Sequence, residues 1–352
     1  MPQPNEVGFT PKGTPLRPQT AVPDPIGMLD PDDTERLSLA ASQPRRIDTA
    51  GTDALAAILS ATRRLEDSVG SAAVLPSVQQ HLTLVEQFVT DARPAIRPQV
   101  CEVAANFAQF HGWLLSSTRQ FRAARTWFDR ATEWALETDD IDMVAGALSF
   151  KGSIAYQLRQ VSPMIGLSQA AQRDRRVSAG LRAFSAHQEA RGHAMAGDAD
   201  TADRKVEEAA ELAAHAVELP DGSPEWAYWY DAAFFQMQRG LTYRFIGEAD
   251  PRRNDRAIAE LTTGLDALPP ETHRSEWAAW FACDLAHVHA QAGNPDRACA
   301  VASGITDIAA RTNSEWLTTR ILLVHKQLRR SWPDRHDVRN LDERIRALTS
   351  QE

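Results

Sequence analysis

Asp284, His287 and His289 place one carboxylate and two imidazoles close together. Three or four ligands around one point would make a metal site. The two histidines are two positions apart, so on a helix they point in different directions. Asp284 and His287 are three apart and can share a face. One carboxylate with one imidazole falls short of a ligand set, and a hydrogen-bonded pair in a groove or core is the expected role. Asp139, Asp140 and Asp142 lack the spacing and the glycine of a calcium loop and are expected to start a helix. Cys101, Cys283 and Cys299 are far apart and suit small core positions. Phosphate-cradling loops, dinucleotide fingerprints and nucleophile elbows are all missing from the sequence. The expectation is therefore no catalytic residue, no metal, no cofactor and no enzyme. Recognition is the chemistry that remains.

The elements that must position any recognition residues are helical. Fifty-six alanines in 352 residues favour helices that pack closely, and no stretch alternates like a strand. Leu55, Ile58, Leu59 and Leu65 lie on one helical face, and Leu82, Leu84, Val85 and Phe88 continue in a second helix. Leu29-Asp30-Pro31 begins a short helix to about Ser42, with Asp30 as N-cap and Pro31 at the first helical position. Before it, residues 1–27 carry Pro2, Pro4, Pro11, Pro15, Pro18 and Pro23 and read as a disordered leader.

A repeating unit organises the rest. A small residue on one helix is followed by a small, a large and a small residue on the next. Gly112 precedes Ala124, Phe128 and Ala131; Gly152 precedes Met164, Ser168 and Ala171; Ala190 precedes Ala202, Val206 and Ala209. Gly240 and Tyr243 precede Ala257, Leu261, Gly264 and Pro269, and Ala286 precedes Ala298, Ala302 and Ile305. The second copy departs at Met164 and Ser168. This is the grammar of tetratricopeptide repeats, with starts spaced more widely than the standard unit. The expected fold is all-α: a right-handed α-solenoid of antiparallel helix pairs. The expected division is a single helical domain over 28–352, with N-terminal helices in 28–95, five repeats in 96–312 and capping helices in 313–352.

In such an array the first helix of each pair lines the concave face. That register gives Asn106, Gln109 and Trp113, then Ser149, Ser153 and Tyr156. Phe184, His187 and Arg191 follow, then Phe234, Met237 and Arg244, and finally Trp280 and His287. Aromatics supply contact area, amides bond peptide backbone, and arginine holds a carboxylate. A peptide, a small signal molecule or a partner protein is the expected occupant. Trp226, Tyr228, Trp229 and Tyr230 precede the fourth copy and are expected to fill a junction between repeats rather than line the groove.

Several segments, in order, resemble a known family. MLDPDDTERL, RRLEDSVGSAAVLPSV (63–78), PMIGLSQAAQRD (163–174), GDADTADRKVEEAAELA (197–213) and RSEWAAWF (274–281) are similar to the C-terminal region of actinobacterial Xre/Cro-type helix-turn-helix regulators. The resemblance implies a tetratricopeptide-type sensor or dimerisation region, transcriptional regulation and a homodimer. The N-terminal DNA-reading domain of that family has no counterpart in the short leader. Two functions follow: a regulatory interaction module that binds in its groove and influences transcription, or a DNA-binding regulator whose helix-turn-helix domain is missing or lies upstream.

Charge and composition bound both. A net charge of −9 argues against a nucleic-acid-coating surface. Arg329, Arg330, Arg335, Arg339, Arg344 and Arg346 are interleaved with Asp334, Asp337, Asp342 and Glu343, which suits a solvated capping helix. Three scattered cysteines, with no evident signal peptide or membrane-spanning run, give a cytoplasmic expectation.

Overall fold

The computed structural model describes residues 30–218 and 224–350. The proline-rich leader, residues 1–27, lies outside them. The described residues hold fifteen α-helices and no strand. The first is α1 (Pro31–Ser42), capped by Asp30, whose carboxylate accepts from the Asp32 backbone N–H at 2.9 Å. Next come α2 (Thr49–Val69) and α3 (Ser71–Asp91). Helix pairs follow: α4 (Arg97–Ser117) with α5 (Phe121–Glu137), α6 (Ile141–Gln157) with α7 (Val161–Ala171), and α8 (Ala179–Met195) with α9 (Ala199–Glu218). Then come α10 (Ala232–Ile246) with α11 (Asn254–Asp266) and α12 (Glu276–Gln291) with α13 (Pro295–Thr312). The chain ends with α14 (Glu315–Ser331) and α15 (His336–Thr349).

Each helix packs on the next, and the even-numbered helices α4, α6, α8, α10, α12 and α14 also touch one another in succession. That double adjacency makes a solenoid-like array with an inner and an outer layer. The layers differ for a physical reason. Outer helices such as α5 and α11 bury one stripe and expose the opposite face, whereas α4, α8 and α10 are buried nearly all round. The small–large–small spacing supplies the pair contact. Ala124, Phe128 and Ala131 are buried, and so are Ala202, Val206 and Ala209; in the fifth copy Ala298, Ala302 and Ile305 are buried too, although there the large residue comes last. A Cβ on Gly112 would stand 2.7 Å from the Phe128 ring, so α4 and α5 approach as closely as they do because residue 112 has no side chain. Gly240 is in the same position against Leu261. The second copy keeps the arrangement despite its departures: Met164 and Ser168 are both fully buried.

Local signals end the helices. Asp140 caps α6, its carboxylate accepting from Met143 N–H, so the aspartate cluster does start a helix. The chain breaks at Trp332, the C-cap of α14. The arginines of the last two helices are largely occupied. Arg344 pairs with Asp307, Arg329 and Arg346 with Asp342, and Arg335 with Asp296 and Asp337. The three cysteines are free and buried. Among the described residues no helix is long and apolar enough to cross a membrane.

The array bends until its ends meet. The turn joining α2 to α3 reaches α12 and the α13–α14 junction. Ser71 N–H donates to the Glu276 carboxylate at 3.2 Å across a separation of 205 residues, and the Ser71 hydroxyl donates to Glu66 at 2.5 Å. The Ser314 hydroxyl donates to the other oxygen of Glu276. Gly70 makes this approach possible. Its φ is +88°, and a Cβ there would stand 2.8 Å from Thr312.

The glycines give a paired prediction. Gly112→Ala is expected to lower stability by about 1–3 kcal/mol through overpacking against Phe128. Gly304→Ala, on an exposed turn of α13 with nothing within 4 Å, is expected to raise it by about 0.5–1 kcal/mol through helix propensity. Urea midpoints of the two variants should therefore move in opposite directions. Shifts of the same sign would refute the close-approach explanation.

Candidate functional site

Closure of the ring encloses a central cavity. Its wall is built by the inner helices α2, α4, α6, α8, α10, α12 and α14, with Tyr228 and Trp229 from the segment before α10. The space open to the centre of a water molecule is about 130 Å³. The wall is largely aromatic. Trp113 and Trp280 meet across the seam with centroids 4.9 Å apart, Trp280 continues to Trp316 at 6.0 Å, and Trp113 to Phe150 at 5.6 Å. Each indole comes from a different helix, so the contact exists only in the closed array.

Charge is set into this apolar wall. Arg63 on α2 is 7% exposed, and its Nη2 donates to the Asn106 carbonyl and the Gln109 side-chain oxygen, both at 3.1 Å. Burial pulls its pKa down to about 9, which leaves it cationic at neutral pH. Arg191 on α8 is 4% exposed. Its Nη1 donates to the Gln238 side-chain oxygen at 3.0 Å, and its guanidinium lies 4.5 Å over the Tyr156 ring. Among the described residues neither arginine has a carboxylate within ion-pair distance. Arg320 differs. It pairs with buried Asp284 at 2.5 Å, and that attraction holds its pKa above the usual arginine range despite burial. Asp284 also takes Arg244 Nε at 3.5 Å. Several donors of residues on this wall have no acceptor among the described residues: Arg191 Nε, Trp280 Nε1 and Trp316 Nε1.

The acids behave differently. Burial, reinforced by Asp67 and Glu276, raises Glu66 to about 8, although hydrogen bonds from Ser71 and Trp113 oppose the shift. Glu66 is therefore mostly protonated at neutral pH. Asp67 is also raised by burial, and Tyr228 OH donates to it at 2.7 Å. The wall is thus net positive, with arginines as its fixed charges.

Of the residues expected in the groove, Gln109, Trp113, Ser153, Tyr156, Phe184, Arg191, Phe234 and Trp280 stand together on this wall. The others lie behind it. Asn106 supports Arg63 through its backbone carbonyl. Ser149 Oγ is bonded to Ser185 Oγ at 2.5 Å between α6 and α8. His187 is fully buried, stacked on Phe235, and neither ring nitrogen has a hydrogen-bond partner; burial lowers its pKa to about 3. Met237 packs under Gly264. Arg244 braces Asp284 from the rear. His287 is not paired with Asp284, as the sequence had suggested; Arg320 and Arg244 hold that carboxylate instead. The desolvated His287 stays neutral, its pKa lowered to about 3 by burial and the nearby arginines. No group of three His, Cys, Asp or Glu among the described residues could hold a metal ion.

The site also contains residues the sequence did not assign to it. Arg63 and Glu66 extend the Leu55–Leu59 stripe of α2 by one turn each, where an apolar face becomes charged, and that change of character was the available signal. The tyrosine–tryptophan cluster divides. Trp226 fills the junction against Gly146 and Tyr230 packs on Phe234, but Tyr228 and Trp229 face the cavity, so the junction expectation fails for those two.

No family model matches the chain, and no curated protein does. Among solved structures, it is similar to a Rap protein complexed with Competence and Sporulation Factor, at 14% identity over 90% of this chain and 87% of that one, with a TM-score of 0.48. It is also similar to the TPR domain of P58(IPK), at 12% identity over 91% of this chain and 99% of that one, with a TM-score of 0.20. Both likenesses are distant, and neither carries a function to this chain.

Glu66 gives a pH prediction. The folded chain keeps this proton up to about pH 8, whereas an unfolded glutamate releases it near 4.5. Folding therefore binds a proton between those values, and the group's contribution to stability falls as pH rises through them. Glu66→Gln, which can still accept from Ser71, should remove that slope. Urea midpoints between pH 5 and 8 should fall more steeply in wild type than in the variant. Parallel curves would show that Glu66 is ionised in the fold.

Proposed function

We propose that the chain is a regulatory interaction module whose central cavity receives a peptide or a small amphipathic molecule. One observation carries this reading: inner helices spread from α2 to α14 aim aromatic rings and buried arginines into a single space. A core that served only stability would fill that space with aliphatic side chains, because buried guanidinium groups without carboxylates lower stability. Recognition sites combine an apolar wall with a few fixed polar groups in this way. An occupant touching both α2 and α12 would favour the closed ring over an opened one, a population shift that a partner surface could sense. The segments similar to Xre/Cro-type regulators extend the proposal to control of transcription through such a partner. Direct DNA contact is the weaker alternative, since the arginines of α14 and α15 are largely paired with aspartates.

The test is affinity capture from host lysate, with wild type and a Trp113→Ala, Arg191→Ala double variant as baits. Peptides and small molecules are both read by mass spectrometry. A species held by wild type and lost by the variant is expected. It should then titrate at one per chain by the fluorescence of the cavity tryptophans. Identical retention by the two baits refutes the cavity as the binding site.

A further inference from the structure

Arg191 is a buried guanidinium with no carboxylate within ion-pair distance among the described residues. Its guanidinium is prearranged on two sides: Tyr156 from α6 lies beneath its plane, and Gln238 from α10 accepts from Nη1. Its Nε has no acceptor among the described residues, although the residue is only 4% exposed. Asp284, an acid whose charge acts on Arg191, is already held by Arg320 and Arg244. Arg239, further along the same region, is paired with Glu260 and competes for nothing here. A buried guanidinium whose one hydrogen-bond acceptor is a neutral amide retains donors for a carboxylate, which guanidinium binds through two parallel hydrogen bonds. The same cavity wall carries apolar surface from Trp280, Phe234 and Leu241 beside the paired Asp284 and Arg320.

We propose that Arg191 anchors a carboxylate of the cavity's ligand, with the ligand's apolar body held against the Trp113–Trp280 wall. This rests on the cavity being a binding site and goes further by naming the chemical class. The carboxylate has two possible sources, the C-terminus of a short peptide or a free aromatic or aliphatic acid. Arg63 is set apart from this role by geometry. Its Nη2 is already divided between the Asn106 carbonyl and Gln109, so it fastens α2 to α4.

Matched acids and amides separate the possibilities. One arm uses a pool of random pentapeptides with free C-termini and the same pool amidated. The second uses naphthalene acetate and naphthalene acetamide. Binding to the full chain is followed by tryptophan fluorescence and by retention on immobilised protein. The expected result is that, in one arm, the acid form binds wild type at least about tenfold more tightly than its amide. Arg191→Gln should abolish that preference, and Arg191→Lys, which keeps charge but not the fork, should restore only part of it. A thermal melt of Arg191→Gln near or above the wild-type value is expected, since an unpaired buried charge has been removed. A purely structural role for Arg191 would change the melt without touching the acid–amide ratio. Equal binding of acid and amide to wild type overturns the carboxylate assignment and leaves the cavity as a binding site. An acid preference that survives in Arg191→Gln assigns the carboxylate to another residue and likewise overturns it. Failure of both pools and both small probes to bind overturns the cavity reading as well.

Discussion

The contact on which this structure depends is the meeting of the α2–α3 turn with Glu276. Most other packing in the array is local: each helix packs on its neighbours, and small residues let the helices of a pair approach; the bond from Tyr228 to Asp67 is another that crosses the seam. Local packing alone makes an open spiral, whose concave face is a groove. The bonds from Ser71 and Ser314 to the two oxygens of Glu276, with Gly70 clearing the path, convert the spiral into a ring and the groove into a chamber. The wall then acquires contacts that no single repeat could make, of which the Trp113–Trp280 pair is the clearest.

The chamber's electrostatics follow from enclosure. A guanidinium on an open groove would be hydrated and unremarkable. Inside the ring, the same group is largely withdrawn from solvent and depends on its neighbours for hydrogen bonds. The protein does this unevenly. Arg320 receives a carboxylate, Arg63 receives two neutral oxygens, and Arg191 receives one amide and a ring face. Burial also keeps Glu66 protonated, so it does not neutralise Arg63 one turn away on the same helix.

The sequence revealed the repeating unit well because that unit is encoded locally. Gly112 needs Phe128, and the two lie within one helix pair. The face that each inner helix presents was less legible. Helices α8 and α10 are buried nearly all round, so periodicity does not distinguish the side facing the cavity from the side facing the next helix. His187 and Met237 were placed in the groove for that reason and instead pack behind it, whereas Phe184, Arg191 and Phe234 stand on the wall. Arg63, Glu66, Trp316 and Arg320 are less legible because each is set by a neighbour outside its own helix: Arg63 by Asn106 and Gln109, Trp316 by Trp280, Arg320 by Asp284, and Glu66 by Ser71 at the turn that meets Glu276. No local pattern reports such a contact; only the intrusion of charge into the apolar stripe of α2 hinted at it.

Ring closure has a mechanical consequence. Trp113 and Trp280 come from opposite sides of the seam, so a movement that parts the Glu276 bonds also parts these two rings. Seam and chamber wall are therefore coupled, and the shape of one cannot change without the other.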